Sequence, residues 1–483
     1  MGLRQVAARA LAWTTLESAA LSGLSFITLL VLSHYLSPKE FGIAAIALGV
    51  VQLLNVPIEV LFHDALVRSE TATESHFDSA FSVTLVMSVI LCGSCWLVSG
   101  WFSRRMDMPE LAAVLPWMSI SLVGMAMGSI LTAQQRRNLQ FRALALRSLV
   151  GRGIGAAVAI TMSVRGYGVW ALVAQQVLLV SLGSMTLWIA SAWRPRLRFQ
   201  LGDVRELLGF GLHSTLTTFL GLATQRTFLL LVGAYLGSYI VGCFSLVFRA
   251  TDMLRDLMSG AVSQLALPLF ARVQSDFTRL VSVYTQALRL TFFVACPVFV
   301  LLACCASDVV RVAFGDKWMD VPVYLSISAA LALQFFARIF SGPMFKAVGR
   351  AGLPNVALGV QIGYLVLGMA LFGKYGPVYA MALWVSRVFV TTPIDVWLLK
   401  RATGMSLGQQ FAGTLDPLIA SIAMVIVVIV IGQGSLQGLP VLPRLSVEIA
   451  IGFTSYLGFM LLFERTLTKQ LFGFLRQAST LRA

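Results

Sequence analysis

Seven arginines lie inside apolar stretches of this chain: Arg152, Arg226, Arg249, Arg255, Arg289, Arg338 and Arg387. A guanidinium is always charged and offers a planar fork of donors that matches phosphate or carboxylate bidentately. Placing one at the centre of a membrane span costs about 2.5–3.5 kcal/mol on insertion scales, so each needs a wet cavity, an acid or an interface. Depth sorts them. Arg226, Arg249 and Arg387 each sit nine or ten residues from one end of their stretch, about 15 Å down at 1.5 Å per residue, too deep for easy snorkelling. Arg338 lies nearer the other end, while Arg152 and Arg289 are close enough to an interface to snorkel.

The most concentrated signal is Arg249, Asp252, Arg255 and Asp256, spaced i, i+3, i+6 and i+7 along one helical face. Such a stripe pairs its own charges, lines a cavity, or does both. Candidate substrate-binding residues are therefore Arg249, Arg226, Arg387, Arg338 and Arg255, with Glu17, Asp252 and Asp256 for ion coupling or charge pairing. Those five cations outnumber the three acids, so the expected cavity attracts an anion and is built mainly by the second half of the chain.

The elements that must position these residues are long and apolar. Of 483 residues 58% are hydrophobic and 12% charged, with a mean hydropathy of +0.84; a soluble domain carries about a quarter charged residues. Apolar segments fall at 11–32, 41–61, 79–101, 111–133, 148–164, 167–192, 209–235, 239–265, 281–305, 321–346, 354–373, 377–399, 413–432 and 445–463. The expectation is an all-α, polytopic integral membrane protein of about 14 transmembrane helices, the first retained rather than cleaved. The net charge of +15 is spread over short loops, where it sets topology; no compact basic patch with aromatics suggests nucleic acid. Cys92 and Cys95 read as small core residues of one span. The scattered His34, His63, His76 and His213 show no metal-ligand spacing. Neither a metal nor a cofactor is expected.

With both termini cytoplasmic, 21 of the 36 basic residues fall inside and 8 outside, the asymmetry of the positive-inside rule. Arg136, Arg137, Arg142 and Arg147 count here as one inner loop. Among the prolines inside spans, Pro343 after Gly342 is the best candidate for a bend. An internal repeat is also visible. Tyr35-Leu36 followed by Gly42 returns 200 residues later as Tyr235-Leu236 and Gly242, and Tyr167-Gly168 returns 208 residues later as Tyr375-Gly376. The expected organisation is two pseudo-symmetric six-helix bundles, 1–200 and 201–402, followed by two extra spans and a basic cytoplasmic tail in 403–483.

Several motifs carry a family resemblance: Leu36-Ser37-Pro38-Lys39-Glu40-Phe41-Gly42, Arg137-Asn138-Leu139-Gln140-Phe141, Gly166-Tyr167-Gly168-Val169-Trp170-Ala171-Leu172-Val173 and Trp193-Arg194-Pro195. Phe244-Ser245-Leu246-Val247-Phe248-Arg249 is similar to a Tyr-x-x-Ala-x-Arg stretch. Over about its first 400 residues the chain resembles the Wzx-like polysaccharide and lipopolysaccharide flippases of the multidrug/oligosaccharidyl-lipid/polysaccharide exporter superfamily. That resemblance implies alternating access with a cationic central cavity, and flipping of undecaprenyl-diphosphate-linked oligosaccharide across the bacterial inner membrane. It implies Arg249, and secondarily Arg226, as the diphosphate or acidic-sugar ligands. It also implies that Phe228 stands near a position where such flippases often carry Asp.

Expected partners are the lipid-linked oligosaccharide, membrane lipids and polysaccharide polymerase machinery. Two other readings stay open at this level. A cation-coupled small-molecule or multidrug exporter of the same superfamily would show excess carboxylates in its cavity. A membrane-embedded polysaccharide polymerase or ligase would need a sizeable outer loop, and the longest here, 306–320, has no recognisable acid–base pair.

Overall fold

The computed structural model describes residues 21–69, 71–273, 276–348, 350, 352–434 and 438–463. They form helices throughout: α1 Leu21–Tyr35, α2 Pro38–Val60, α3 His63–Arg68, α4 Glu74–Met106, α5 Leu111–Arg137, α6 Phe141–Val164, α7 Val169–Ala190 and α8 Leu201–Val273. There follow α9 Phe277–Cys304, α10 Ala306–Phe314, α11 Val321–Arg338, α12 Ser341–Ala347, α13 Pro354–Phe372, α14 Pro377–Thr403, α15 Leu407–Phe411, α16 Leu415–Gly434 and α17 Val441–Phe463. Eleven candidate spans are long and apolar enough to cross a membrane, and two apolar helices, Leu21–Tyr35 and Leu415–Ile431, are shorter. The protein is an all-α polytopic membrane protein; fourteen remains the count read from the sequence.

Local chemistry explains the breaks. Ser37 caps α2 in a reciprocal box with Glu40, and Pro38 takes the first helical position, where its missing N–H is no loss. The α11 helix stops at Arg338 and α12 resumes at Ser341. Pro343 is the cause, because its ring clashes with the carbonyl four residues back, at Ile339. The expected bend therefore falls a turn earlier than the proline itself. In α8 the helical dihedrals fail at Gly237, where φ is 80°.

The repeat read from the sequence has a structural counterpart. Gly237 breaks α8 200 positions after Ser37, which separates α1 from α2. A Cβ on Gly42 would lie 1.7 Å from the Ser238 carbonyl oxygen, and one on Gly242 would lie 1.8 Å from that of Pro38. The two contacts are the same contact with the repeats exchanged. Gly168 and Gly376, equivalent in the second match, both have positive φ (57° and 114°) and both immediately precede a helix, α7 and α14.

The chain divides into two compact units. Unit 1 holds Met1–Leu246 and Leu358–Trp384; unit 2 holds Val247–Ala357 and Val385–Ala483. In unit 1 a core of Leu61, Phe62, Leu66, Phe77, Phe81, Ile130 and Leu207 joins one end of α2–α5 to the start of α8. In unit 2 the core is more aromatic. Phe270, Tyr284 and Phe340 meet pairwise at 5.8–6.1 Å, and Phe299 packs on Phe336 at 5.4 Å. Ion pairs join its helices: Arg289 to Asp416 at 3.2 Å, and Arg444 to Asp308 through both carboxylate oxygens, the Nε bond at 2.6 Å. Arg289 thus meets an acid on α16 rather than relying on an interface alone.

Candidate functional site

The charged stripe of α8 falls in unit 2, as do α11 and the part of α14 from Val385 onward. Arg249 and Asp256 are exposed, while Asp252 and Arg255 are half-buried. The Arg255 guanidinium is ion-paired with Asp252 and lies 4.3 Å from the centroid of the Phe335 ring on α11. The ring's negative face and the carboxylate share one cation, a combination that lowers its desolvation penalty.

On α14, Arg387, Thr391 and Asp395 recur every four residues and so share one face. Arg387 is half-buried and interacts electrostatically with both Arg255 and Asp252. Asp395 is ion-paired with Arg338 of α11; the side chains are 6% and 20% exposed, a more buried pair than Arg444 with Asp308. The Thr391 carbonyl accepts a further bond from Arg338 at 3.5 Å. Tyr284, buried on α9, lies within electrostatic reach of the same guanidinium. Arg249, Arg255, Arg338 and Arg387 are thus in one unit with Asp252, Asp256 and Asp395. Asp395 was missed by a reading that counted only Glu17, Asp252 and Asp256; it stands in plain view two residues after Pro393, an acid in an apolar run. With it the deep set becomes five cations to four acids.

One predicted residue is placed elsewhere and another is not among the described residues. Arg226 belongs to unit 1, half-buried, its Cδ crossing the open surface of Gly49 on α2. Glu17 lies outside the described residues. Phe228, near Arg226, is fully buried and stacks between Phe244 at 6.1 Å and Trp384 at 4.9 Å. An aromatic stack, and no carboxylate, fills that position.

Unit 1 also holds a polar cavity of about 200 Å³ lined by Glu59, His63, Asp64, Ser129, Thr132, Arg136, Arg147 and Thr218. Arg147 had been counted in a loop, but α6 begins at Phe141 and carries it inward to meet Thr132 Oγ1 at 2.7 Å and Met125 Sδ at 3.8 Å. Its stem runs against Gly183 of α7, which leaves room for it. Asp64 accepts bonds from His63 Nδ1, at 2.9 Å, and from Ser214. Sequence reasoning missed this group because its members come from five helices and share no spacing.

The sequence matches the profile of a family described as "Polysaccharide biosynthesis protein" over residues 31–322, more than half of its length. The chain belongs to that family. The chain is 24% identical over 472 residues to the succinoglycan biosynthesis transport protein ExoT of Rhizobium meliloti, covering 97% of this chain and 95% of the relative. It is 20% identical over 396 residues to the lipopolysaccharide biosynthesis protein WzxC of Escherichia coli, with 76% and 79% covered. Among solved structures it shares its fold with a multidrug resistance MATE family transporter of the MOP superfamily, solved in an inward-facing conformation. The TM-score is 0.61 at 14% identity, over 83% of this chain and 94% of that one. The chain is a Wzx-like, multi-pass transporter of a bacterial membrane.

Proposed function

We propose that this protein is a flippase that carries undecaprenyl-diphosphate-linked oligosaccharide from the cytoplasmic to the periplasmic leaflet of the inner membrane, for lipopolysaccharide or exopolysaccharide assembly. The observation that carries the reading is the guanidinium-rich cluster within the spans of unit 2, in a chain with one relative named for succinoglycan biosynthesis transport and another for lipopolysaccharide biosynthesis. In this reading Arg249 and Arg387 meet the diphosphate first. Arg255 and Arg338, held now by Asp252 and Asp395, exchange those carboxylates for phosphate oxygens as the headgroup enters. Such an exchange keeps each guanidinium compensated throughout, which a low-dielectric site demands. Arg226 serves as a further ligand, with Glu17, Asp252 and Asp256 available for ion coupling.

The same reading includes alternating access of an arginine-lined cavity, two six-span bundles at 1–200 and 201–402 with extra spans in 403–483, and both termini in the cytoplasm. Polysaccharide polymerase machinery is the partner that receives the product. A decisive experiment uses a strain whose only copy is Arg249→Ala. Surface polysaccharide should fall severalfold while membrane insertion is unchanged, and lipid-linked repeat units should accumulate. Normal assembly in that strain would remove Arg249 from the site. Reconstituted protein should also prefer a diphosphate-linked lipid over a neutral lipid of equal length; equal affinity would remove the electrostatic argument.

A further inference from the structure

The segment between α7 and α8 alternates basic and apolar side chains: Arg194, Arg196, Leu197, Arg198 and Phe199. It is not helical, yet its backbone is fixed to the first turns of α4. Asp78 Oδ1 accepts the Arg196 N–H at 2.9 Å, Ser79 Oγ accepts that of Gln200 at 3.1 Å, and Ser82 Oγ donates to the Arg198 carbonyl at 2.9 Å. Asp78 and Ser79 are buried, so the strap is anchored from within the bundle. Arg194 turns back onto the carbonyls of Ser191 and Trp193. Arg196 and Arg198 do not: both are exposed, and neither guanidinium has a protein partner among the described residues.

A groove of about 440 Å³ is lined by Val83, Val86, Met87 and Ile90 of α4 and by Phe199 of the strap. Those four α4 residues fall at i, i+3, i+4 and i+7, a stripe about 10 Å long on one face of that helix. Ser82, which also lines the groove, is the residue bonded to the Arg198 carbonyl. Two exposed cations therefore belong to a strap that contributes Phe199 to an apolar groove on a membrane-spanning helix and bonds Ser82 of its lining.

We propose that this strap and the face of α4 beneath it bind an anionic phospholipid, with Arg196 and Arg198 on the phosphate and one acyl chain along Val83, Val86 and Ile90. Charge complementarity selects the occupant. A zwitterionic headgroup brings its own cation to the phosphate, whereas a net anionic one leaves two guanidiniums matched. The positive-inside rule accounts for basic residues in this segment, but it calls for neither a backbone anchored to α4 nor a slot below it. The site uses none of the residues assigned to the transport cluster in unit 2.

Native mass spectrometry of the purified full chain tests this, with phosphatidylglycerol and phosphatidylethanolamine of identical acyl chains as probes. The wild type should retain phosphatidylglycerol in preference by about tenfold or more, the scale set by two basic residues at an anionic headgroup. Combined Arg196→Gln and Arg198→Gln should abolish the preference without changing the melting temperature. Val86→Trp fills the slot and should weaken retention of phosphatidylglycerol with the arginines intact. Equal retention of both lipids by the wild type, unchanged preference in the double variant, or unchanged retention in Val86→Trp would each overturn the proposal. Displacement of phosphatidylglycerol from the wild type by undecaprenyl diphosphate would assign the strap to transport cargo, and would overturn it too. Surface-polysaccharide assembly is read separately, so failure here leaves the Arg249 test intact.

Discussion

Arg338 and Asp395 set the energetics of unit 2 at the scale of single residues, because neither charge has bulk water to retreat to. Removing one partner from a buried pair typically costs 3–5 kcal/mol, chiefly for the charge left behind. Asp395→Asn should therefore lower the melting temperature of the detergent-purified protein markedly, while Arg338→Met combined with Asp395→Leu should come close to the wild type. Scanning calorimetry checks both; a wild-type melting curve for Asp395→Asn would mean that another group compensates Arg338. Arg147 poses the opposite case. It hydrogen-bonds a hydroxyl and a thioether, both neutral, and the Glu59 carboxylate that its charge reaches shares the cavity with a second cation, Arg136, so Arg147→Met removes a charge and leaves that acid a cation in the same cavity. Melting should be unchanged or raised, and any loss of polysaccharide export in that variant then reports a role in transport rather than in folding.

Helices α2 and α8 cross so closely that side chains are excluded at Gly42 and Gly242. A single methyl group at either position would overlap a backbone oxygen, which cannot rotate away as a side chain can. Overpacking in a dense interior costs typically 1–3 kcal/mol, and here the obstacle is backbone. Gly42→Ala and Gly242→Ala should each lower the yield of folded protein on size-exclusion chromatography. Gly93→Ala on α4, which meets nothing within 4 Å, should raise stability by about 0.5–1 kcal/mol through the ordinary helix preference. Equal behaviour of the three variants would refute the close crossing. The reciprocity of the two contacts places Gly42 and Gly242 at one crossing, so a change in either removes the same interface.

For the molecule as a whole, the order of traverses predicts which loops share a side. In unit 1 the α4–α5 turn and the α6–α7 turn lie on one side, and the α5–α6 turn lies with the α7–α8 strap on the other. Hydrogen bonds from the strap to the start of α4 agree with this, as does Lys39 bonded to Glu110 at 2.7 Å beside the α4–α5 turn. In a cysteine-free background, Leu139→Cys and Leu197→Cys should react with a membrane-impermeant maleimide only from the cytoplasmic side. Asp107→Cys and Tyr167→Cys should react only from outside. Labelling of Leu139→Cys and Asp107→Cys from the same side would contradict the charge-based orientation.

Membrane residence, helical content and approximate span positions were all legible in the sequence, because each depends on local composition summed over about 20 residues. The recurring glycines were legible for a related reason: a close approach or a left-handed turn demands that residue and no other. The α8 stripe could be placed on one face from spacing alone. Which acid holds which arginine was not decided there. Asp395 lies 57 positions after Arg338, and the Arg147 cavity draws on five helices. Buried electrostatics depends on distances between helices that are remote in the chain, and only tertiary packing sets those distances.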